Sequence, residues 1–404
     1  NYTFTVIAGL GITDLAGNGL ATSVSESFAL DLTGPVATIL PPTPNPRNTP
    51  VTSLGIQFDE AVLGFDLGDV ALSRGGTPIT LVGASLSTTN NILFILNMPA
   101  ALTSLEGTYT VTILALTGGI TDIIGNPATQ NSSGTFDIDY TVPTVGINPI
   151  LPNPRNVAVT MVGVQFSEAV TGVDPTDFIL QRDGSNVPLT GATVSTSNSA
   201  LWTLILPAAL TTPQGNYTIT LNPVGSGIRD VATNLLQTGA NATFVVDTTA
   251  PTVTITQVTP DPRYLGVNAM TINFSEPVTG FDLADLRLTR DGGPNLLTAG
   301  QTLTTSDNRV FTLNNLMPLT NFVTGTYTLT LTAAGSGISD LATNPLLVGA
   351  NETFAVDLTN PTVVDVSAGW GSSGRVSIFP NVNRVLPFLN VDRLFIRFSK
   401  NVNV

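Results

Sequence analysis

Acidic side chains recur at fixed places along this 404-residue chain. Each copy has an aspartate in a D-x-T-x-P or related segment, a glutamate after an apolar strand, two aspartates three residues apart, and the aspartate of the phrase G-I-x-D-x-x-x-N. The fifteen candidates are Asp31, Glu60, Asp66, Asp69 and Asp122; Asp139, Glu168, Asp174, Asp177 and Asp230; and Asp247, Glu276, Asp282, Asp285 and Asp340. Carboxylates that come close together repel one another, so such a cluster requires a compensating cation or bound protons.

The donor set indicates calcium as that cation. Calcium takes six to eight oxygen ligands in flexible geometry, whereas zinc and copper favour nitrogen and sulfur. The chain has no histidine and no cysteine. The sequence therefore predicts calcium as the cofactor, with the fifteen acids as its candidate ligands.

Two other readings of the acids stay open. Aspartate and asparagine also form turns through hydrogen bonds to their own backbone, without any metal. Arginines could instead neutralise part of each cluster; the candidates are Arg47, Arg155 and Arg263 in one loop and Arg74, Arg182 and Arg290 after a later strand. Two arginines against five acids would leave a surplus of negative charge.

The acids belong to a repeating unit. The G-I-x-D-x-x-x-N phrase occurs at 11–18, 119–126, 227–234 and 337–344, and Pro35, Pro143, Pro251 and Pro361 mark successive copies. The spacing of about 108 residues is that of a small domain and is too long for a solenoid repeat. We expect part of a domain at 1–32, complete domains at 35–140, 143–248 and 251–358, and the start of an atypical domain at 361–404.

Each complete copy is predicted to be a β-sandwich. Short segments such as 270–274 and 327–331 alternate apolar and polar residues, and turn residues separate them. About seven such strands without helical periodicity indicate an all-β fold, a tandem array of immunoglobulin-like β-sandwich domains. In that fold the loop after strand B and the F–G loop lie at the same pole as the incoming linker, which brings the acids together. Tyr109, Tyr217 and Tyr327, two residues after a glycine, are either tyrosine corners or plain core residues.

Several motifs carry a resemblance. The segments Phe274-Ser-Glu276-Pro-Val, Gly325-Thr-Tyr327, Gly337-Ile-Ser-Asp340 and Val246-Asp-Thr-Thr-Ala-Pro251 resemble bacterial Ig-like domains of surface-layer proteins and large adhesins. The resemblance covers essentially the whole chain. It implies an extracellular, cell-surface location and linker aspartates that hold calcium between domains.

Composition narrows the range of functions that the chain can have. The net charge of −14 argues against nucleic acid as a partner, and apolar runs are interrupted too often for membrane insertion in this segment. We expect a structural segment of a long fibre, surface layer or stalk, whose partners are neighbouring Ig-like domains of the same or identical chains, with a homopolymer as one option. The alternative is an adhesin or carbohydrate-binding array, which exposed aromatic residues would favour. No enzyme is expected, because the acids lie at interdomain poles in triplicate and Lys400 is the only lysine.

The linkers and the ends complete these expectations. Short proline-containing linkers predict domains arranged end to end. Lys400 replaces the recurring glutamate, so the last junction should differ from the others. The chain begins at strand F of one domain and stops after strand B of another, which predicts either a window of a longer polypeptide or end domains completed by strands of a neighbouring chain.

Overall fold

A computed structural model describes residues 1–370, 374–378 and 391–402 of the protein. Nearly every regular element is an antiparallel β-strand, so the predicted all-β class is confirmed. Part of the atypical domain predicted at 361–404 lies outside the described residues. Within the described residues, no helix is long and apolar enough to span a membrane.

The first sandwich covers residues 37–138 and has two four-stranded sheets. One sheet has the order Ala37–Leu40, Ser53–Phe58, Leu93–Asn97, Ser85–Thr88, and the other Ser132–Ile138, Gly107–Ile113, Val70–Arg74, Thr77–Ile79. Val62–Leu63 pairs with Thr121–Asp122 in a short ladder, and 3₁₀ turns occupy Leu67–Asp69 and Ala100–Thr103. This is the A-B-E-D and G-F-C-C′ arrangement of an immunoglobulin-like domain.

The second sandwich, residues 145–246, repeats this strand order. Its sheets are Val145–Ile147, Met161–Phe166, Leu201–Ile205, Thr193–Thr196 and Ser185–Val187, Phe178–Arg182, Gly215–Leu221, Ala240–Val246. The short ladder joins Val170–Thr171 to Arg229–Asp230, and 3₁₀ turns lie at Pro175–Asp177 and Ala208–Leu210.

The third sandwich, residues 253–356, differs at one edge. Its first sheet is Val253–Ile255, Met270–Phe274, Val310–Asn314, Thr302–Thr305, and its second has three strands, Leu286–Arg290, Gly325–Leu331, Ala350–Val356. Val278–Thr279 pairs with Ser339–Asp340; a 3₁₀ turn spans Leu283–Asp285 and a short α-helix Met317–Thr320. The C′ strand is missing where Gly292, Gly293 and Pro294 occupy the corresponding segment.

Smaller sheets flank the three sandwiches in the sequence. Tyr2–Val6 pairs with Val24–Phe28 as a terminal hairpin. The final sheet has the order Gly374–Ser377, Val363–Trp370, Arg393–Phe398.

Contacts divide the chain into two compact units. The first comprises residues 1–150, 159–211 and 216–243, and the second residues 151–158, 212–215 and 244–404 as far as they are described. This division cuts the segment 143–248, whereas the strand pairings follow the repeats. The five predicted domain ranges therefore remain predictions.

Alternation along the strands builds each core. In Gly325–Leu331, Tyr327, Leu329 and Leu331 are buried while the threonines between them are partly exposed. Buried residues of both sheets, such as Ile272 and Leu329, join one apolar cluster in the third sandwich. The period of two thus sends one face of every central strand into the space between the sheets.

A tyrosine corner closes the first and third sandwiches. The hydroxyl of Tyr109 donates to the carbonyl oxygen of Leu105 at 2.8 Å, and that of Tyr327 donates to the carbonyl oxygen of Val323 at 3.0 Å. Both rings are buried and stack on a phenylalanine of the neighbouring strand, Phe136 and Phe354. The corner, one of two options from the sequence, is the one that forms at these two positions.

Tyr327→Phe tests this corner. The substitution leaves the carbonyl oxygen of Val323 without this donor while the ring stays in place, so we expect a loss of about 1 kcal/mol in the unfolding free energy of the third sandwich. Calorimetry of the full chain measures it. Tyr264→Phe, at an exposed tyrosine of the same sandwich, is the matched control and should change stability by less than about 0.5 kcal/mol. Equal effects of the two substitutions would contradict the role of the hydroxyl.

Candidate metal centre

Two loops meet at one pole of each sandwich. In the third sandwich, Val278 pairs with Asp340 and Thr279 with Ser339, which places the loop after Glu276 beside the D-x-x-x-N loop. The approach is close: Gly280 has φ +81°, and a Cβ there would lie 2.6 Å from the carbonyl oxygen of Gly337. Gly64 and Gly172 are in the same situation in the other two sandwiches. Only glycine satisfies both the dihedral angle and the space, and this recurring glycine was not among the sequence candidates.

This meeting of loops brings three carboxylates together at each of three linkers. In each group the candidate ligand oxygens all lie within 4.8 Å of one another. The groups are Asp31, Glu60 and Asp122; Asp139, Glu168 and Asp230; and Asp247, Glu276 and Asp340. We call them the first, second and third junction clusters.

The aspartate of the D-x-x-x-N loop is held by its own loop. In the first cluster, Asp122 Oδ1 accepts from the backbone N–H groups of Ile124, Gly125 and Asn126 at 2.6–3.0 Å. Burial opposes ionisation of Asp122, but these bonds and one from the Asn126 side chain outweigh it and lower its pKa. The carboxylate is therefore fixed in orientation and stays charged.

The asparagine of the same loop connects it to the linker. Asn344 Nδ2 donates to Asp340 Oδ2 at 2.7 Å and to the carbonyl oxygen of Asp247 at 2.9 Å. Asn234 makes the same pair of bonds to Asp230 and Asp139, both within 2.9 Å. With these two bonds the asparagine side chain connects the D-x-x-x-N loop directly to the incoming linker.

The linker aspartate sits in a tight turn. Its Oδ1 accepts from the backbone N–H two residues later: Thr33 on Asp31 at 3.0 Å, Thr141 on Asp139 at 2.9 Å and Thr249 on Asp247 at 2.9 Å. This is an Asx turn, as one alternative from the sequence proposed, and it positions the carboxylate without using all of its oxygen lone pairs.

The glutamate is the residue of each cluster whose pKa is raised. Burial and the neighbouring Asp247 and Asp340 raise the pKa of Glu276 above its usual 4.5. Burial and the nearby Asp230 and Asp139 also raise the pKa of Glu168. Burial and the nearby Asp122 and Asp31 raise that of Glu60. The two aspartates of each cluster thus disfavour the charged form of its glutamate.

The other six candidate metal ligands lie outside the junction clusters. They are Asp66 and Asp69, Asp174 and Asp177, and Asp282 and Asp285, and none belongs to a cluster. Each pair forms a capping box on a 3₁₀ turn: Asp282 accepts from the N–H of Ala284 at 2.7 Å, and Asp285 accepts from the N–H of Asp282 at 2.9 Å. Local backbone donors orient these carboxylates along the turn.

The arginines do not neutralise the clusters in the described part of the chain. Arg155 Nε donates to the carbonyl oxygen of Val157 and Arg263 Nε to that of Leu265, each two residues onward. Arg47 Nε donates to the hydroxyl of Thr49, also two residues onward, and Arg290 Nε lies 4.0 Å from Asp291 Oδ2. No ion pair among the described residues involves a junction cluster.

The donor set fits a calcium ion. Each cluster offers three carboxylates, and neither imidazole nor thiolate exists in the chain. Two of the carboxylates are positioned by hydrogen bonds to backbone N–H groups, while the third, the glutamate, is held by neither such bonds nor a salt bridge among the described residues. A hard cation with a flexible oxygen shell suits this arrangement better than magnesium, which demands near-ideal octahedral geometry.

Comparison with known proteins agrees with the fold. Residues 247–371 match the family model described as a bacterial Ig-like domain. The same sheets and motifs recur in 37–138 and 145–246, so the chain is a tandem array of immunoglobulin-like domains in which residues 247–371 match the bacterial family. No curated protein matches the chain.

The solved structures with similar strand arrangements include fragments of titin. An I-band fragment of titin aligns with 81% of this chain and 98% of its own length at 10% identity and a TM-score of 0.26. Another set of titin domains aligns with 80% of this chain and 99% of its own length at 11% identity and a TM-score of 0.27. At such low identity and score, the similarity says nothing about function.

Asn344→Ala should loosen the third junction. It removes two hydrogen bonds and leaves the buried Asp340 carboxylate and the linker carbonyl without that donor, which costs about 1–3 kcal/mol. Calorimetry of the full chain measures the loss. Asn18→Ala is the control, because Asn18 makes the same bond to Asp14 in an exposed hairpin. A smaller loss for Asn344→Ala than for Asn18→Ala would refute the bridging role.

Glu276→Gln should stabilise the metal-free protein at neutral pH. Because the folded protein raises the pKa of Glu276 above 4.5, it holds the proton more tightly than the unfolded chain, and stability falls as pH rises from about 4.5 through the raised value. Glutamine carries no charge and avoids this loss. Urea midpoints in metal-stripped buffer should therefore be higher for Glu276→Gln than for the wild type at pH 7, and the difference should shrink below pH 4.5.

Glu26→Gln, on the exposed terminal hairpin, is the control for this measurement. It should leave the urea midpoint unchanged at both pH values. If Glu276→Gln behaved in the same way, electrostatic strain at the cluster would be too small to matter.

Proposed function

We propose that the protein is a structural repeat segment of a bacterial cell-surface protein in which calcium joins each incoming linker to the following Ig-like domain. The ion would bind the linker aspartate, the glutamate after strand B and the aspartate of the D-x-x-x-N loop. Holding all three fixes the linker on the pole of the next domain. The chemistry that calcium supplies is charge neutralisation and a rigid bridge.

One observation carries this proposal. The same three carboxylates meet at three successive linkers, and at the fourth linker the glutamate is replaced by Lys400, whose ammonium lies against the linker carboxylate of Asp357. Position 400 therefore carries a positive charge of its own at the place where the other junctions have a surplus of negative charge. The exchange is expected if a cation belongs at each junction.

We propose an extracellular location because calcium sites of extracellular modules suit the calcium level outside cells. Extracellular modules bind calcium with dissociation constants of about 10⁻⁴ to 10⁻³ M, which suits the millimolar calcium outside cells. The cytosol holds too little calcium to fill a site of this kind. The match of residues 247–371 to the bacterial Ig-like family also supports a surface protein, because such domains are common in surface proteins.

A structural role is favoured over adhesion or catalysis. Within the three sandwiches most aromatic side chains are buried: Tyr109, Phe136, Tyr327 and Phe354 are all at most 1% exposed, and Tyr264 and Phe322 are the exposed exceptions. The clustered acids lie at domain poles in three copies rather than in one cleft. We accordingly propose scaffolding by tandem domains, with no enzymatic activity.

Calcium titration tests the proposal. The wild type should bind three calcium ions per chain in calorimetric titration, one per cluster. At a calcium concentration 100 times the dissociation constant, each filled site should stabilise its domain by about 2.7 kcal/mol relative to chelator. Asp247→Ala should reduce the number of ions by one and leave the second junction intact.

Asp282→Ala is the matched control. It removes a capping-box aspartate outside the cluster, so it should cost about 1 kcal/mol of stability but leave three ions bound. Unchanged unfolding temperatures between chelator and millimolar calcium would defeat the calcium proposal and leave the acids as turn formers.

A further inference from the structure

The fourth linker has the same backbone geometry as the other three. The N–H of Thr362 donates to Ser399 Oγ at 2.9 Å, as that of Thr252 does to Ser275 Oγ at 2.9 Å. In return, the N–H of Ser399 donates to the carbonyl oxygen of Thr362 at 2.8 Å. The residue after this serine, Lys400 or Glu276, is therefore held at an equivalent place.

The linker turn is also equivalent. Asp357 Oδ1 accepts from the N–H of Thr359 at 3.0 Å, as Asp247 Oδ1 accepts from Thr249 at 2.9 Å. This leaves Asp357 Oδ2 for another partner. The two linkers thus present the same carboxylate in the same turn.

Lys400 fills the position that this turn faces. Its Nζ donates to Asp357 Oδ2, to the hydroxyl of Thr359, and to the carbonyl oxygen of Thr359 at 2.8 Å. All three donor positions of an ammonium are used on oxygen atoms of the linker. The lysine and the bonds from Thr359 lower the pKa of Asp357 to about 2.

We infer that Lys400 acts as a built-in cation, so that the fourth junction is locked without metal while the first three depend on calcium. The inference rests on the proposed calcium sites. It adds that the two kinds of junction are interchangeable through one residue, because an ammonium at the glutamate position performs the neutralisation that calcium performs elsewhere. The linker at Thr359 would then stay fixed at any calcium concentration.

Hydrogen exchange of the linker amides in the full chain tests the inference. The amides near Thr252 in the third linker should exchange about 100-fold more slowly at a calcium concentration 100 times the dissociation constant than in metal-stripped buffer. Those near Thr362 should change less than about twofold. A calcium response at Thr362 as large as that at Thr252 would overturn the inference.

Exchanging the residues provides the second arm. Glu276→Lys should reduce the bound calcium by one ion and protect the third linker in metal-stripped buffer as much as calcium protects the wild type. Glu276→Gln is the control, since it removes the same charge without supplying a cation, and should not give that protection. Glu168→Lys repeats the test at the second junction, so a folding failure of one variant does not decide the outcome. If both lysine variants left their linkers unprotected without metal, the inference would be wrong.

Lys400→Met separates this inference from the calcium proposal. It should release the fourth linker in both buffers, and calcium should not restore it. If the wild-type third linker ignored calcium, the calcium proposal would fail, yet Glu276→Lys and Lys400→Met in metal-stripped buffer would still decide whether an ammonium locks a junction. Unchanged protection near Thr362 in Lys400→Met would show that the lysine does not hold the linker.

Discussion

Repulsion between carboxylates is the interaction on which each junction depends. The linker brings one charge to a pole where the fold already places two more, as with Asp247 beside Glu276 and Asp340. The carboxylates of Asp247 and Asp340 accept hydrogen bonds from backbone N–H groups or from a neighbouring asparagine. At Glu276, burial and the two nearby aspartates raise the pKa. A positive charge between the linker and the domain would relieve this repulsion, so the proposed calcium sites tie the state of each junction to the ionic surroundings.

The repetition in the sequence was enough to predict the sandwich and the pole at which the acids gather. The Ig strand order alone places the loop after strand B beside the F–G loop, and the pairing of Val278 with Asp340 realises that arrangement. Alternation of residues such as Tyr327, Leu329 and Leu331 also identified the core strands. These features follow from local periodicity and from a topology that many sequences share.

The choice among the recurring acids could not be made from spacing alone. Asp282 recurs as regularly as Asp247, and both carboxylates accept from the N–H two residues onward, but Asp282 forms a capping box with Asp285 on a 3₁₀ turn and lies outside the cluster. The D-x-x-D spacing at 282–285 was the available signal, because a capping box needs a side-chain acceptor three residues after the cap. The arginines were equally ambiguous: Arg263 bonds to the carbonyl oxygen of Leu265 nearby and so does not reach across the pole. Such competition between local and distant partners depends on atomic positions that a one-dimensional pattern does not contain.

The three clusters have different electrical surroundings, which gives them an order. Asp59 adds a fourth acid beside Glu60, and Glu106 adds one near Glu168, where it accepts a hydrogen bond from Thr141. At the third cluster the corresponding residues are the uncharged Ser275 and Gln214, the latter bonded to Thr249. Because a more negative site attracts a divalent ion more strongly, the first two junctions should fill at lower calcium than the third. With the proposed calcium sites, a rising calcium level would then fix the first two linkers before the third, and the chain would respond to the ion concentration in more than one step.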